Sequence, residues 1–134
     1  MTYKGDLTSQ ETYDAIASDP NAVVIDVRTN AEWNFVGLPA IENLHLVQWT
    51  SFPTGARNEN FVAEVKAKGI TEDQTLYLLC RSGQRSAAAA SLLTASGFPT
   101  CYNVSDGFEG DIGPSGHRST VNGWKHAGLP WRQG

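Results

Sequence analysis

The 134 residues are 40% hydrophobic and 18% charged, with a net charge of -4, the balance of one globular domain spanning 1–134. An acidic chain without an apolar run of membrane-spanning length offers no global field for nucleic acid and no anchor in a bilayer. Two cysteines, Cys80 and Cys101, do not make a disulfide framework, and the polar opening Met1 to Asp6 has no apolar signal core, so the expected compartment is the cytoplasm.

In chain order, Thr8-Ser9-Gln10-Glu11 forms a capping box. Tyr13, Ile16 and Ala17 then recur at helical spacing until Asp19-Pro20. Ala22 to Val27 is nearly continuous β-branched apolar sequence, the mark of a strand buried on both faces. Asn30 to Trp33 reads as a short capped helix ended around Gly37 and Pro39, and a weaker strand falls within Ile41 to Leu46. Gln48 to Asn58 is a loop, Asn60 to Lys68 a helix closed by Gly69, and Thr75 to Leu79 a second strong strand. The alanine-rich segment Ser86 to Ser96 is helical with Ser86 as its N-cap, and Cys101 to Val104 is a further strand. Ser105 to Gly123 reads as a long ordered loop and Trp124 to Ala127 as a last helical turn. Strands alternating with helices predict an α/β fold with a central, mostly parallel sheet covered on both faces.

The most informative stretch is Cys80-Arg81-Ser82-Gly83-Gln84-Arg85-Ser86, between the second strong strand and the alanine-rich helix. A thiol at the carboxyl end of a strand lies above a helix N-terminus, where unpaired N–H groups and the helix dipole favour negative charge. The thiolate is the reactive form, so Cys80 is the candidate nucleophile. Gly83 permits a conformation other residues resist, and successive amides of the loop Arg81, Ser82, Gly83, Gln84 and Arg85 are expected to converge as an anion nest. The Ser86 hydroxyl is placed to hydrogen-bond the Cys80 sulfur. Arg28, at the end of the other strong strand, points to the same region. Cys101 has no nearby cation and reads as packing, with a resolving thiol as the lesser alternative. His117 and Arg118 read as a solvated or structure-holding pair on a loop that walls the site. The four tryptophans read as packing and pocket wall. His45 and His126 lack companions at metal-ligand spacing, so no metal site is expected.

With these residues on the page, the sequence resembles the single-domain rhodanese-like sulfurtransferases. The matches are Asp26-Val27-Arg28, Glu32-Trp33, the Cys80 to Ser86 loop, Asp106-Gly107-Phe108-Glu109-Gly110, Gly116-His117-Arg118 and Asn122-Gly123-Trp124-Lys125. The resemblance implies a three-layer α/β/α fold and transfer of a sulfane sulfur through a Cys80 persulfide, without cofactor or metal. It implies a small anionic donor such as thiosulfate, oriented by Arg81 and Arg85. The implied acceptor is cyanide, a thiol, or a thioredoxin-like or sulfur-relay protein. Arg28 resembles the family arginine that braces the site, with Glu32 as its ion-pair partner, and Asp26 fixes loop geometry. The chain departs from one family pattern at Gly37-Leu38-Pro39-Ala40, where a glycine-histidine-isoleucine-proline run is common.

Two other classes compete. A cysteine phosphatase or arsenate reductase also uses a thiolate at a helix N-terminus, but with five residues between cysteine and arginine. Here four separate Cys80 from Arg85, a cradle better matched to one sulfur atom than to a tetrahedral oxyanion. Such an enzyme also needs a general acid, for which Asp106 and Asp111 are the candidates. The other rival is a non-enzymatic module that binds protein or senses redox state through Cys80 and Cys101.

Overall fold

Side-chain alternation along two central strands decides the layers. The computed structural model describes residues 2–133. Strands β2 (Val23–Asp26) and β5 (Leu76–Leu79) are adjacent and parallel, with every residue of both buried. Val23, Ile25, Leu76 and Leu78 face one cluster, whereas Val24, Tyr77 and Leu79 face another. Burial on both faces explains why these segments read as continuous apolar runs.

The full sheet has order β1-β6-β5-β2-β4, all parallel, adding β1 (Gly5–Leu7), β4 (Leu44–Leu46) and β6 (Cys101–Val104). Helices α3 (Phe61–Ala67) and α4 (Gln84–Ala95) cover one face through Phe61, Val65, Ala89, Ala90 and Leu93. On the other face, α1 (Ser9–Ala17) packs with Phe108, Trp124 and Leu129 from the long C-terminal segment. The result is a rhodanese-like α/β/α arrangement with a central parallel sheet.

Both expected helix starts near the N-terminus are capping boxes. Thr8 and Glu11 close α1, and Thr29 and Glu32 close α2 (Asn30–Phe35). The strand β1 was not legible because Gly5-Asp6-Leu7 carries no apolar run; it is held by parallel pairing to Tyr102, Asn103 and Val104. Nor was the two-stranded sheet of β3 (Leu38–Pro39) with β7 (Trp131–Arg132). This pairing falls on the segment that departs from the family pattern. Gly37 has φ +111°, and a Cβ there would stand 2.7 Å from the Arg132 carbonyl oxygen, so the close approach of the tail requires glycine.

Tryptophans serve packing and stacking. Trp124 is fully buried and donates its Nε1–H to the Pro130 carbonyl at 2.8 Å, Trp49 meets Phe61 edge-on, and Lys125 lies over Trp131.

Arg28 is the largest charged group inside this core, with no solvent exposure. Its guanidinium is bonded to both Asp26 oxygens, at 2.7–3.2 Å, and donates to the Gly37 carbonyl at 2.8 Å. Its Cζ lies 4.3 Å from the Phe108 ring centre. A buried ion pair is costly to break, because removing one partner strands the other charge. Asp26→Asn is therefore expected to lower unfolding free energy by about 3–5 kcal/mol in urea titration, the range for a buried pair losing one charge. A loss within about 1 kcal/mol, the value of an exposed pair, would contradict this placement.

Candidate active site

Cys80 follows β5 directly and is 2% exposed. Its Sγ receives the Gly83 backbone N–H at 3.1 Å and lies 3.1 Å from the Ser86 hydroxyl. The helix begins earlier than its sequence suggested. Gly83 occupies the N-cap with φ 103°, and Ser86 is the third helical residue, not the cap. The correction has a physical cause: only glycine accepts this left-handed backbone, and a Cβ at Gly83 would collide with the Ser105 carbonyl. As an interior residue, Ser86 turns its hydroxyl down toward the sulfur rather than back to the helix end.

The loop is fixed through its carbonyls. The Cys80 carbonyl accepts the Phe108 N–H at 2.8 Å, and the Arg81 carbonyl accepts the N–H groups of Glu109 and Gly110 at 3.0 and 3.1 Å. The Gly83 carbonyl accepts Asn103 Nδ2 at 3.1 Å and the Ala87 N–H at 3.3 Å. In a trans peptide the N–H points opposite the C=O. Anchoring these carbonyls outward turns the N–H groups of Arg81, Ser82 and Gln84 the other way. Ala87 makes the first helical bond of α4, so the amides of residues 84–86 have no partner one turn back. Gly107 is also required, since a Cβ there would strike the Arg81 carbonyl.

The arginines separate into distinct roles. The expected Arg28–Glu32 pair is not formed: Arg28 pairs with Asp26, two residues away, and its side chain is fully buried, with Nη1 left without a partner. Glu32 instead pairs with Arg85, through Nη1 to Oε1 at 2.7 Å and Nη2 to Oε2 at 2.9 Å. Both terminal nitrogens of Arg85 are thereby engaged by Glu32. Asp26 receives the Arg28 backbone N–H at 3.1 Å as well as its side chain, and so holds the turn after β2. Arg81 is exposed, and Arg118 donates to the Gly110 carbonyl at 2.6 Å. Arg81, Arg85, Arg118, Glu32, Glu109 and Phe52 help line a cleft of about 590 Å³. Cys80 is buried and is not part of this lining, although its neighbour Arg81 is.

Asp106 accepts the Ser9 N–H and hydroxyl on one oxygen, at 2.8 and 2.9 Å, and the Gly123 N–H on the other, at 3.0 Å. It is a staple between α1 and the C-terminal segment, not a free general acid. Asp111 is tied to Asn122. Cys101 is level with Leu76, four residues before Cys80 on the neighbouring strand. At about 3.3 Å per residue the cysteines are about 13 Å apart along the sheet, beyond the ~7 Å Cα limit for a disulfide. Burial pushes the Cys101 thiol up to about 11, which makes it a poor resolving thiol. Among the described residues no group of His, Cys, Asp and Glu is placed to hold a metal ion.

Sequence reasoning missed Asn103 and the carbonyl-anchoring turn 105–110. A polar residue inside the apolar run Cys101 to Val104, and two glycines three apart, were the available signals.

A parallel sheet in this order, with a cysteine loop leading from a central strand into a helix, defines a rhodanese-like domain. The chain belongs to that family: residues 4–134 match the family model described as the STR4 middle domain. An uncharacterised protein of Rickettsia conorii, RC0915, is 39% identical over 127 residues, covering 94% of this chain and 95% of its own. The Arabidopsis thaliana chloroplastic rhodanese-like domain-containing protein 4 is 28% identical over 92% of this chain, which spans 25% of that protein. Among solved structures, the crystal structure of Rv0390 from M. tuberculosis is similar with TM-score 0.91 and 42% identity, covering 98% of this chain and 99% of that one. The polysulfide-sulfur transferase homodimer from Wolinella succinogenes shares the fold, with TM-score 0.67 and 23% identity over 96% of this chain and 78% of that one. The relationship is thus to the sulfurtransferases at family level.

Burial alone would raise the Glu32 carboxyl, but hydrogen bonds from Arg85 and Thr29 and the Arg85 charge hold it down at about 2. A carboxyl lowered on folding contributes stability that is complete above its ordinary value near 4.5 and fades as pH falls toward 2. The melting-temperature advantage of the native protein over Glu32→Gln should therefore shrink across that window. An advantage that stays constant down to pH 2 would contradict the pairing.

Proposed function

We propose that the protein is a sulfurtransferase that carries a sulfane sulfur on Cys80. The observation that supports this most is the anchoring of the Cys80, Arg81 and Gly83 carbonyls away from the loop interior. That arrangement leaves preorganised N–H donors for a terminal sulfur anion, which need no rearrangement as charge develops. Four residues between Cys80 and Arg85 keep the loop small, and Asp106 is occupied, which disfavours phosphoryl or arsenate chemistry. The distance between Cys80 and Cys101 disfavours a redox-sensing disulfide.

In the first step the Cys80 thiolate attacks the outer sulfur of thiosulfate or a similar donor. A sulfur–sulfur bond forms to Cys80 while the donor's sulfur–sulfur bond breaks, and its electron pair leaves with sulfite. Arg81 and Arg118, at the cleft, orient the anionic donor; Arg85 acts chiefly by locking the loop through Glu32. The persulfide then rests among the amides of residues 81–86. A thiol or cyanide acceptor attacks the outer sulfur and returns the bonding pair to Cys80. The physiological acceptor on this reading is a small thiol or a thioredoxin-like or sulfur-relay protein. None of the described helices is long and apolar enough to cross a membrane.

Intact-mass spectrometry after incubation with thiosulfate should show a gain of one sulfur on the protein, removed again by cyanide. Cys80→Ala should abolish both the gain and thiocyanate formation while keeping the native melting curve. Turnover retained in that variant would overturn the assignment.

A further inference from the structure

Cys80 touches a chain of buried polar groups that the transfer reaction does not by itself call for. Asn103 donates both of its Nδ2 hydrogens, to Asp6 Oδ1 at 3.0 Å and to the Gly83 carbonyl at 3.1 Å. Both partners are acceptors only, so the amide has one orientation and its Oδ1 faces Ser86. The Ser86 hydroxyl lies 2.6 Å from that oxygen and can only donate to it. Its single proton is then committed, and toward Cys80 it presents a lone pair. The 3.1 Å contact between Ser86 Oγ and Cys80 Sγ is therefore an S–H group donating to oxygen. Ser86 has no solvent exposure and Asn103 only 4%, so water does not relieve a mismatch.

We infer that Asn103 is a positioning residue that acts through Ser86, holding the serine proton away from Cys80 so that the resting sulfur is parked as a thiol. An anionic sulfur is disfavoured beside the Ser86 lone pair, where it already accepts the Gly83 N–H, and gains when it turns toward the further amides of residues 81–86. The Asn103–Ser86 pair thus separates a protonated resting position from an anionic working position of the same atom. Asp6 completes the device, since its carboxylate fixes the Asn103 amide from β1, and Tyr3 donates to the same Asp6 oxygen at 2.8 Å. This inference rests on Cys80 as the reacting sulfur, but its test needs no sulfur donor, so a failure of sulfur transfer and a failure of this inference are separable.

The readout is the rate of Cys80 alkylation by iodoacetamide at neutral pH, resolved from Cys101 by peptide mass spectrometry. Ser86→Ala removes the acceptor that stabilises the thiol, so alkylation should accelerate. A serine that donates to the sulfur would instead make this substitution slow the reaction, which would overturn the inference. Asn103→Leu frees the Ser86 proton to donate to an anionic sulfur. One added hydrogen bond to the sulfur, offset by its lower nucleophilicity, gives an acceleration of about threefold. In the Ser86→Ala background the same Asn103→Leu change should leave the rate unaltered. An equal change in both backgrounds would mean that Asn103 acts only by holding the Gly83 carbonyl, and would also overturn it. Should Asn103→Leu fail to fold, the direction of the Ser86→Ala effect decides alone.

Discussion

Three carbonyls of the cysteine loop, those of Cys80, Arg81 and Gly83, are bound from outside it. Phe108, Glu109 and Gly110 supply three N–H donors to two successive carbonyls, and Asn103 with Ala87 binds a third. Each anchored carbonyl fixes the opposite orientation of the amide that follows it. The donors around Cys80 are therefore a consequence of tertiary pairing with the C-terminal segment, and not of the loop sequence acting alone. Glycine at 83 and at 107 is what lets the two backbones approach so closely.

Charge is distributed to serve the same end. Arg28 and Asp26 neutralise each other in the core and clamp the turn after β2 to Gly37. Glu32 caps α2 and at the same time locks Arg85, so one carboxylate joins two elements on either side of the site. This leaves Arg81 and Arg118 as the open cations at the cleft, inside a chain that is acidic overall. The positive charge at the cleft mouth is thus local rather than global.

Elements that bury both faces or carry their own caps were legible before the structure. β2 and β5 declared themselves through unbroken apolar runs, and α1 through a local capping box. β1, β3 and β7 did not, because two or three residues held by pairing leave little periodic signal. The cysteine loop was visible as a motif, yet its partners were not. A salt bridge between residues 32 and 85, or hydrogen bonds from residues 108–110 to residues 80–81, depends on how the chain returns across the sheet. The Arg28–Glu32 pair was implied by the family resemblance, but Asp26, two residues from Arg28 and equally buried, takes the guanidinium instead.

The most direct test of inward-facing amides is a nitrogen–proton correlation spectrum of the labelled protein before and after loading with thiosulfate. Persulfide formation should move the amide protons of residues 81–86 downfield, as donors to a new sulfur anion, with reversal on adding cyanide. A persulfide that forms on Cys80 while these amide resonances stay in place would contradict the account.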